Sequence, residues 1–250
     1  YTVTPVLTTF DDNTPTAVPM TLGDDDSVAV QLPFTFTFFG RPYTSLFLNT
    51  DGNLTFVDGD SSSSDRSLQR IVGGPPRISP FFEDLYPLGS SARITVETRS
   101  DRALFTWTNV GEWTANGPSG QNTFQAILET SGVIRFNYRA ISATEAVVGI
   151  APGGTTNPTI DLVDLSVLTG SSIVHSGVVA EVFALSQDVN LTALAQYFYR
   201  SHQDAYDGLI VFADFFLLLD NATALATPLR NSVQGIINTS NRPIYDFGAE

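Results

Sequence analysis

The clearest pattern in the chain is an alternation of apolar and polar residues within residues 32–56. Phe34, Phe36 and Phe38 alternate with threonines, which places three aromatic rings on one face of a strand. The sequence Asn-Thr-Asp-Gly at 49–52 predicts a hairpin turn, and apolar residues alternate with polar ones again on either side of it. The segment therefore predicts a β-meander. It contains no catalytic group, which favours a scaffold over an enzyme.

Short apolar segments of the same kind recur through the first part of the chain, separated by clusters of Asp, Ser, Gly and Pro. Such clusters mark turns between strands. The predicted strands are 28–32, 34–39, 45–49, 54–57, 94–98, 103–107, 123–129, 133–138 and 147–150. Many short strands joined by turns predict a mainly β fold, an antiparallel β-sandwich or barrel.

The last third of the chain has a different pattern. Strands are predicted to continue at 160–168 and 178–183, and Asn190 is then predicted to cap a helix over 191–202. A strongly apolar stretch follows, with a second short helix predicted at 225–233. The chain is therefore expected to end in a small α+β segment.

These patterns divide the chain into three parts. Residues 1–23 form a leader strand, in which Pro5 confines pairing to a sheet edge or to an added strand. Residues 24–185 form the β domain, and residues 186–250 form the α+β segment. We expect this last segment to pack on the β domain, because it is small for an independent domain.

Charge and composition exclude several functions. The formal net charge is −14, with 26 acidic residues against 12 basic residues, all of them arginine. Because an acidic surface repels phosphate backbones, we expect no nucleic-acid partner. The lack of lysine excludes Schiff-base chemistry, and the lack of cysteine excludes disulfides, thiolate nucleophiles and Cys-ligated zinc. No apolar run approaches the ~18 residues of a spanning helix, so we expect no membrane span.

Several features favour an exported protein. The chain starts at Tyr1, and we interpret it as a mature form left after signal cleavage. Its Thr- and Ser-rich composition fits an extracellular or cell-surface location, and the lack of cysteine favours a secreted protein of bacterial or archaeal type. Asn-x-Ser/Thr sequons are candidates for glycosylation at Asn53, Asn190, Asn221 and Asn238.

Six segments follow one another in a distinctive order and spacing along the β part of the chain. They are residues 32–56, 78–85, 105–111, 122–129, 132–138 and 149–153. Together they resemble the nidogen-like domain, an extracellular module, over residues 24–155. The resemblance implies a β-rich adhesion or matrix module with no catalytic residues to carry over. Animal members sit beside disulfide-rich modules that are absent here, so their partners do not transfer.

Two acidic loops are candidates for binding calcium, which prefers carboxylate and carbonyl oxygens. One loop is residues 24–26, and the other contains Asp58, Asp60 and Asp65. Neither loop follows the EF-hand spacing, so a solvated turn is the favoured interpretation of both. We expect no other cofactor.

Candidate catalytic residues are few. His202 with Asp204 and Asp207 offers a metal site or an acid–base pair, but a histidine at a helix C-terminus also complements the helix dipole. Glu83 and Asp84 are adjacent, and adjacent residues of a strand face opposite sides, so they do not easily flank one glycosidic bond. We therefore expect no catalytic residues and no enzymatic activity.

The sequence favours a non-enzymatic extracellular protein of structural or adhesive function, with self-association or other matrix and surface proteins as its partners. One hypothesis is a surface filament or matrix assembled by strand exchange. In that hypothesis Tyr1, Val3 and Leu7 of the leader dock onto the open sheet edge of the next subunit. The alternative, weighed equally, is that the leader pairs within its own domain.

Two other functions are retained as alternatives. One is the non-catalytic N-terminal part of a larger secreted hydrolase, since residues 197–212 resemble a piece of some bacterial secreted proteins. The other is a carbohydrate-binding or calcium-dependent adhesion module, for which Trp113 is the candidate exposed contact. Trp107 alternates with Phe105 and is instead predicted to lie in the core.

Overall fold

The computed structural model describes residues 1–3, 10–12, 15–154, 160–162, 173–174 and 177–184. The chain divides into residues 1–183 and 184–250, and the elements below belong to the first unit, with the last strand reaching its boundary. The predicted helices at 191–202 and 225–233 lie outside the described residues, as does the whole of the predicted α+β segment 186–250.

Strands dominate the described residues, and we number the elements in chain order. The strands are β1 (Thr2–Val3), β2 (Val18–Met20), β3 (Ser27–Phe38), β4 (Arg41–Asn49), β5 (Asn53–Thr55), β6 (Arg77–Phe82), β7 (Leu85–Tyr86), β8 (Arg93–Thr98), β9 (Arg102–Glu112), β10 (Ser119–Glu129), β11 (Ile134–Ala140), β12 (Glu145–Ala151), β13 (Ile160–Leu162), β14 (Ile173–Val174) and β15 (Val178–Ala184). The helix is α1 (Leu68–Gly73). Most of these strands match the sequence prediction within a few residues.

The strands form two large sheets that face each other. One is a six-stranded sheet in the order β11-β10-β9-β8-β2, with β7 also pairing with β9. The other is a seven-stranded sheet in the order β13-β15-β12-β6-β5-β4-β3, and β1 pairs separately with β14. Among the described pairings only β13 with β15 is parallel. The sheets do not close on each other, so the predicted mainly β fold is confirmed as a sandwich rather than a barrel.

The core between the sheets is built around aromatic rings. Phe36 and Phe38 are fully buried, while Phe34, predicted to share their strand face, is partly buried. Trp107 on the opposite sheet stacks on Phe124 with ring centroids 5.0 Å apart, which confirms its predicted place in the core. Burying each such side chain stabilises the fold by about 1.5–3 kcal/mol.

Strand β3 is one continuous strand where the sequence predicts two, interrupted at Pro33. Within the described residues β3 is the last strand of its sheet, and its register with β4 shifts between Gln31 and Phe36. Proline has no N–H to donate, and a sheet edge with an irregular register tolerates that loss. The strand therefore continues through Pro33 instead of ending there.

The leader is part of the fold of its own chain in this structure. Strand β1 pairs with β14, and the Tyr1 ring packs against Phe39 with centroids 4.9 Å apart. Strand β2, at the edge of the six-stranded sheet, pairs with β8, and Val18 lies opposite Val96. Val3 also packs against the core, and Leu7 lies outside the described residues.

Candidate functional site

The predicted hairpin turn between β4 and β5 is confirmed, and it joins the two sheets. Asn49 pairs with Asn53 at its base. From the six-stranded sheet, the Trp107 indole N–H donates to the Thr50 carbonyl at 3.1 Å, and the Leu85 N–H donates to Asp51 Oδ1 at 3.2 Å. The turn therefore acts as a buried polar link at one end of the sandwich.

Arg66 neutralises the acidic side of this turn. Its Nη2 atom lies 2.9 Å from Asp51 Oδ2 and 3.0 Å from Asp84 Oδ1, and it also pairs with Asp25. Burial raises the pKa of Asp51 to about 6, and the guanidinium of Arg66 opposes that rise. Because these acids lie far apart in the sequence, Arg66 ties three separate loops together.

Two further arginines share one carboxylate next to the same turn. The Arg77 side chain is 1% exposed, with Nη1 donating to Asn53 Oδ1 at 2.8 Å and Nη2 donating to Asp60 Oδ2 at 2.5 Å. Arg70 Nη2 donates to Asp60 Oδ1 at 2.5 Å. Burial alone would raise the pKa of Asp60, but Arg70 and Arg77 hold it below its ordinary value.

We call these residues together the arginine cluster: Arg66, Arg70 and Arg77 with Asp25, Asp51, Asp60 and Asp84. Its arginines were not predicted as site residues from the sequence. Arg70 lies in α1, which the sequence analysis missed, and Arg77 begins β6, which was also absent from the predicted strands. An arginine at the start of a strand carries no local sign of the distant acid it meets.

Of the two loops predicted to bind calcium, the one with Asp58, Asp60 and Asp65 does not gather its carboxylates into a group in the described residues. Both oxygens of Asp60 accept from arginines, while Asp58 and Asp65 are exposed. In the part of the chain that the structure describes, carboxylate oxygens of Asp24, Asp25 and Asp84 lie within 4.8 Å of one another, but Arg66 pairs with two of these acids. Calcium binding therefore stays a prediction, and Asp60 is engaged by arginine instead.

The predicted glycan at Asn53 is corrected by the structure. Its side chain is fully buried, its Nδ2 atom donates to the Asp51 carbonyl, and its Oδ1 atom accepts from Asn49 and Arg77. A glycan would attach to this buried Nδ2 atom and force a sugar into the interior. The other sequons, at Asn190, Asn221 and Asn238, lie outside the described residues.

Glu83 and Asp84 lie between β6 and β7 rather than in a strand, and they have different neighbours. Asp84 pairs with Arg66, whereas the neighbouring charges of Glu83 include Glu112 and Glu145. Burial is the largest cause that raises the pKa of Glu83 to about 8, and the two glutamates add to it. The geometry therefore gives a carboxyl that is mostly protonated at neutral pH.

Polar side chains form a row across the outer face of the six-stranded sheet. Register places Gln125 beside Asn137 on β11 and Thr106 on β9, and Thr106 beside Thr95 on β8. All four are buried, and we call them the polar row. Gln125 Nε2 donates to Thr106 Oγ1 at 2.9 Å, and Asn137 Nδ2 donates to Gln125 Oε1 at 3.2 Å.

The leader lies on this polar row. Gln125 Nε2 donates to the Asp11 carbonyl at 2.9 Å, and the Asp11 N–H donates to Gln125 Oε1 at 3.4 Å. The Asp11 carboxylate pairs with Arg99 at 3.3 Å and lies 3.7 Å from Arg102. Asp12 Oδ1 accepts from Arg139 at 2.6 Å. This contact was not predicted from the sequence, because polar residues on a strand ordinarily face solvent.

The candidate exposed aromatic contact is present at the surface. Trp113 is 45% exposed just beyond the end of β9, and its backbone N–H donates to the Asp84 carbonyl at 2.7 Å. Leu88, which follows β7, is also exposed. Within the described residues no helix is long and apolar enough to cross a membrane.

This architecture places the protein in the class of mainly antiparallel β-sandwich domains. A family model described as NIDO related matches residues 1–179, so the chain belongs to this family, and the nidogen-like resemblance is confirmed. The match includes the leader, which the sequence resemblance over 24–155 did not.

The chain is also similar to a curated protein, alpha-tectorin of Gallus gallus. The two are 28% identical over 158 residues, which cover 52% of this chain and 7% of alpha-tectorin. The chain therefore corresponds to a small part of that relative. No solved structure matches the chain significantly. The family and this relative point to an extracellular, matrix-type module of the non-enzymatic kind.

Proposed function

We propose that this chain is an extracellular structural or adhesive protein that assembles into a filament or matrix by exchanging its leader between copies. The observation that carries the proposal is the place of β2 at the edge of the six-stranded sheet, next to β8. Membership of the NIDO-related family and the similarity to alpha-tectorin support the matrix-type role. Other matrix or surface proteins are the further partners in this proposal.

Strand exchange requires no contact beyond those seen within one chain. Strand β2 consists of three residues, and the described pieces of the leader bind through β1, through residues 10–12 and through β2. A neighbouring copy can supply the same pieces to the same positions, which is how domain swapping forms assemblies at low cost. A leader passed from each copy to the next gives a head-to-tail contact, and such contacts build open filaments.

The test uses a disulfide between facing positions of β2 and β8. Val18 and Val96 are cross-strand partners, and facing residues of antiparallel strands lie about 4.5–5.5 Å apart at Cα, within reach of a disulfide. The chain has no cysteine of its own, so two single variants, Val18→Cys and Val96→Cys, can be mixed and oxidised. We expect a covalent dimer on a non-reducing gel and filaments by electron microscopy of the wild-type protein.

Each single variant oxidised alone is the control for random collision. If the mixture yields no more dimer than these controls, while the double variant Val18→Cys/Val96→Cys closes its disulfide within one chain, the leader stays in its own domain. That result would overturn the exchange proposal and leave the matrix-type role to other surfaces.

A further inference from the structure

Buried polar groups on an outer sheet face need a partner above them. Gln125, at the centre of the polar row, is fully buried, and its amide makes two hydrogen bonds to the backbone of Asp11. A buried amide left without hydrogen-bond partners destabilises the fold. The polar row is therefore built to be covered by an extended main chain.

The side-chain amide of Gln125 contacts a backbone as a neighbouring strand would. Its carbonyl oxygen accepts from the Asp11 N–H, and its amide nitrogen donates to the Asp11 carbonyl. Hydrogen bonds with Thr106 and Asn137 on the flanking strands hold this amide in place. These two contacts come from the sheet itself and do not involve the leader.

Charged groups around the polar row select the side chains of the covering segment. Arg99 and Arg102 lie beside the Asp11 carboxylate, at 3.3 Å and 3.7 Å. Arg139 contacts the two residues on either side of Asp11: its guanidinium lies 4.2 Å from the centre of the Phe10 ring and donates to Asp12 at 2.6 Å. The arrangement fits an aromatic residue followed by two acidic residues.

We propose that the outer face of the six-stranded sheet is a binding site for an extended aromatic–acidic peptide, with Phe10-Asp11-Asp12 of the leader as its ligand. Where a second copy of the chain supplies this ligand, the inference rests on the proposed leader exchange, because the site then receives these three residues from the neighbouring chain. Binding of the peptide itself needs no exchange. Backbone hydrogen bonds supply affinity, and the arginines supply specificity.

The test weakens binding of the chain's own leader to the site and offers a free peptide in its place. The full chain carrying Phe10→Ala, Asp11→Ala and Asp12→Ala is titrated into a fluorescein-labelled peptide of residues 8–14, and fluorescence anisotropy gives the dissociation constant. We expect this variant to bind the peptide at least tenfold more tightly than the wild-type chain, whose own leader occupies the site. High salt should weaken binding, since exposed ion pairs are screened.

Two further substitutions in the triple variant locate the binding. Arg139→Ala removes a guanidinium that is half exposed, so the fold is expected to survive, and it should weaken binding at least tenfold. Arg41→Ala removes an equal charge from an exposed position on the other sheet and should change nothing. Gln125→Ala should abolish binding, provided that circular dichroism shows a folded variant.

Equal affinity for a peptide carrying Asp11→Asn and Asp12→Asn, or no binding to the triple variant, would overturn the proposed site. Failure of the cysteine cross-link between copies would not do so, because that experiment concerns β2 and β8. Peptide binding without cross-linking would keep the site and reject exchange. Cross-linking without peptide binding would do the reverse.

Discussion

Acidic side chains inside this protein differ in whether an arginine faces them. Asp60 accepts from two guanidiniums and has a lowered pKa, whereas burial raises the pKa of Glu83 to about 8 beside Glu112 and Glu145. Asp51 lies between these cases, because Arg66 opposes the effect of burial and the pKa rises to about 6. At the residue scale, the partner of a buried acid therefore determines whether its pKa rises or falls, and so whether its contribution to stability is lost at high or at low pH.

Glu83 predicts a loss of stability as the pH rises. Its pKa in the folded state, about 8, is above its ordinary value of 4.5, so its contribution is fully present below about pH 4.5 and is lost as the pH approaches 8. We expect the free energy of unfolding to fall between about pH 6 and 8 by up to about 1.4 kcal/mol per pH unit. Asp51 contributes with the same sign but mainly below about pH 6.

Urea denaturation at several pH values measures this dependence. Glu83→Gln should flatten the profile between about pH 6 and 8, while Asp58→Asn, in an exposed loop, should leave it unchanged. Identical slopes for the wild type and Glu83→Gln would show that Glu83 is already ionised in the folded protein at neutral pH.

At the scale of single elements, the β4–β5 hairpin depends on one glycine. Gly52 has a φ of +68°, and a Cβ added there would lie 1.9 Å from the Phe81 carbonyl oxygen. The Phe81 N–H in turn donates to the Gly52 carbonyl at 3.2 Å. The turn therefore requires glycine both for its backbone angle and for the close approach of β6.

We predict that Gly52→Ala destabilises the protein more than Gly40→Ala. Gly40, in the preceding hairpin, has a similar φ of +75° with nothing within 4 Å of an added Cβ, so it isolates the backbone cost of about 1–2 kcal/mol. Gly52→Ala should add about 1–3 kcal/mol for the clash with β6. Urea denaturation compares the two, and equal losses would show that the clash is relieved by a small backbone shift.

Most strands with a regular alternation were predicted well from the sequence, whereas β6 and α1 were missed. Strand β6 is buried along its whole length and contains Pro80, so its apolar and polar residues do not alternate. Helix α1 has six residues, too few to show a helical period, although Ser67 caps it. In the candidate site, the acidic loops and the leader were identified from the sequence. The arginines and Gln125 that contact them were not.

At the scale of the whole molecule, most of the described arginines are used inside the protein or against its own leader. The arginine cluster links loops around the β4–β5 turn, and Arg99, Arg102 and Arg139 hold the leader. The acidic residues in excess give the chain its net charge of −14. Arg66 also places a positive charge beside Asp25 and Asp84, two of the acids that a calcium ion would otherwise neutralise.

We predict that the protein does not depend on calcium for stability. Arg66 pairs with Asp25 and Asp84, so the melting temperature should be the same with a chelator and with millimolar calcium. Magnesium at equal ionic strength is the control for general screening. A rise in melting temperature with calcium alone would favour the calcium-dependent adhesion module and reject the non-metal interpretation.

The sequence by itself determined the strand pattern, the mainly β class and the resemblance to the nidogen-like domain, because alternation and turn residues act over a few neighbours. The tertiary structure decided which polar residues are buried and what they meet. Arg66 and Asp25, or Gln125 and Asp11, are far apart in the chain, and only sheet register and the path of the leader bring them together. For the same reason Asn53 is a sequon in the sequence but a buried hydrogen-bonding residue in the fold.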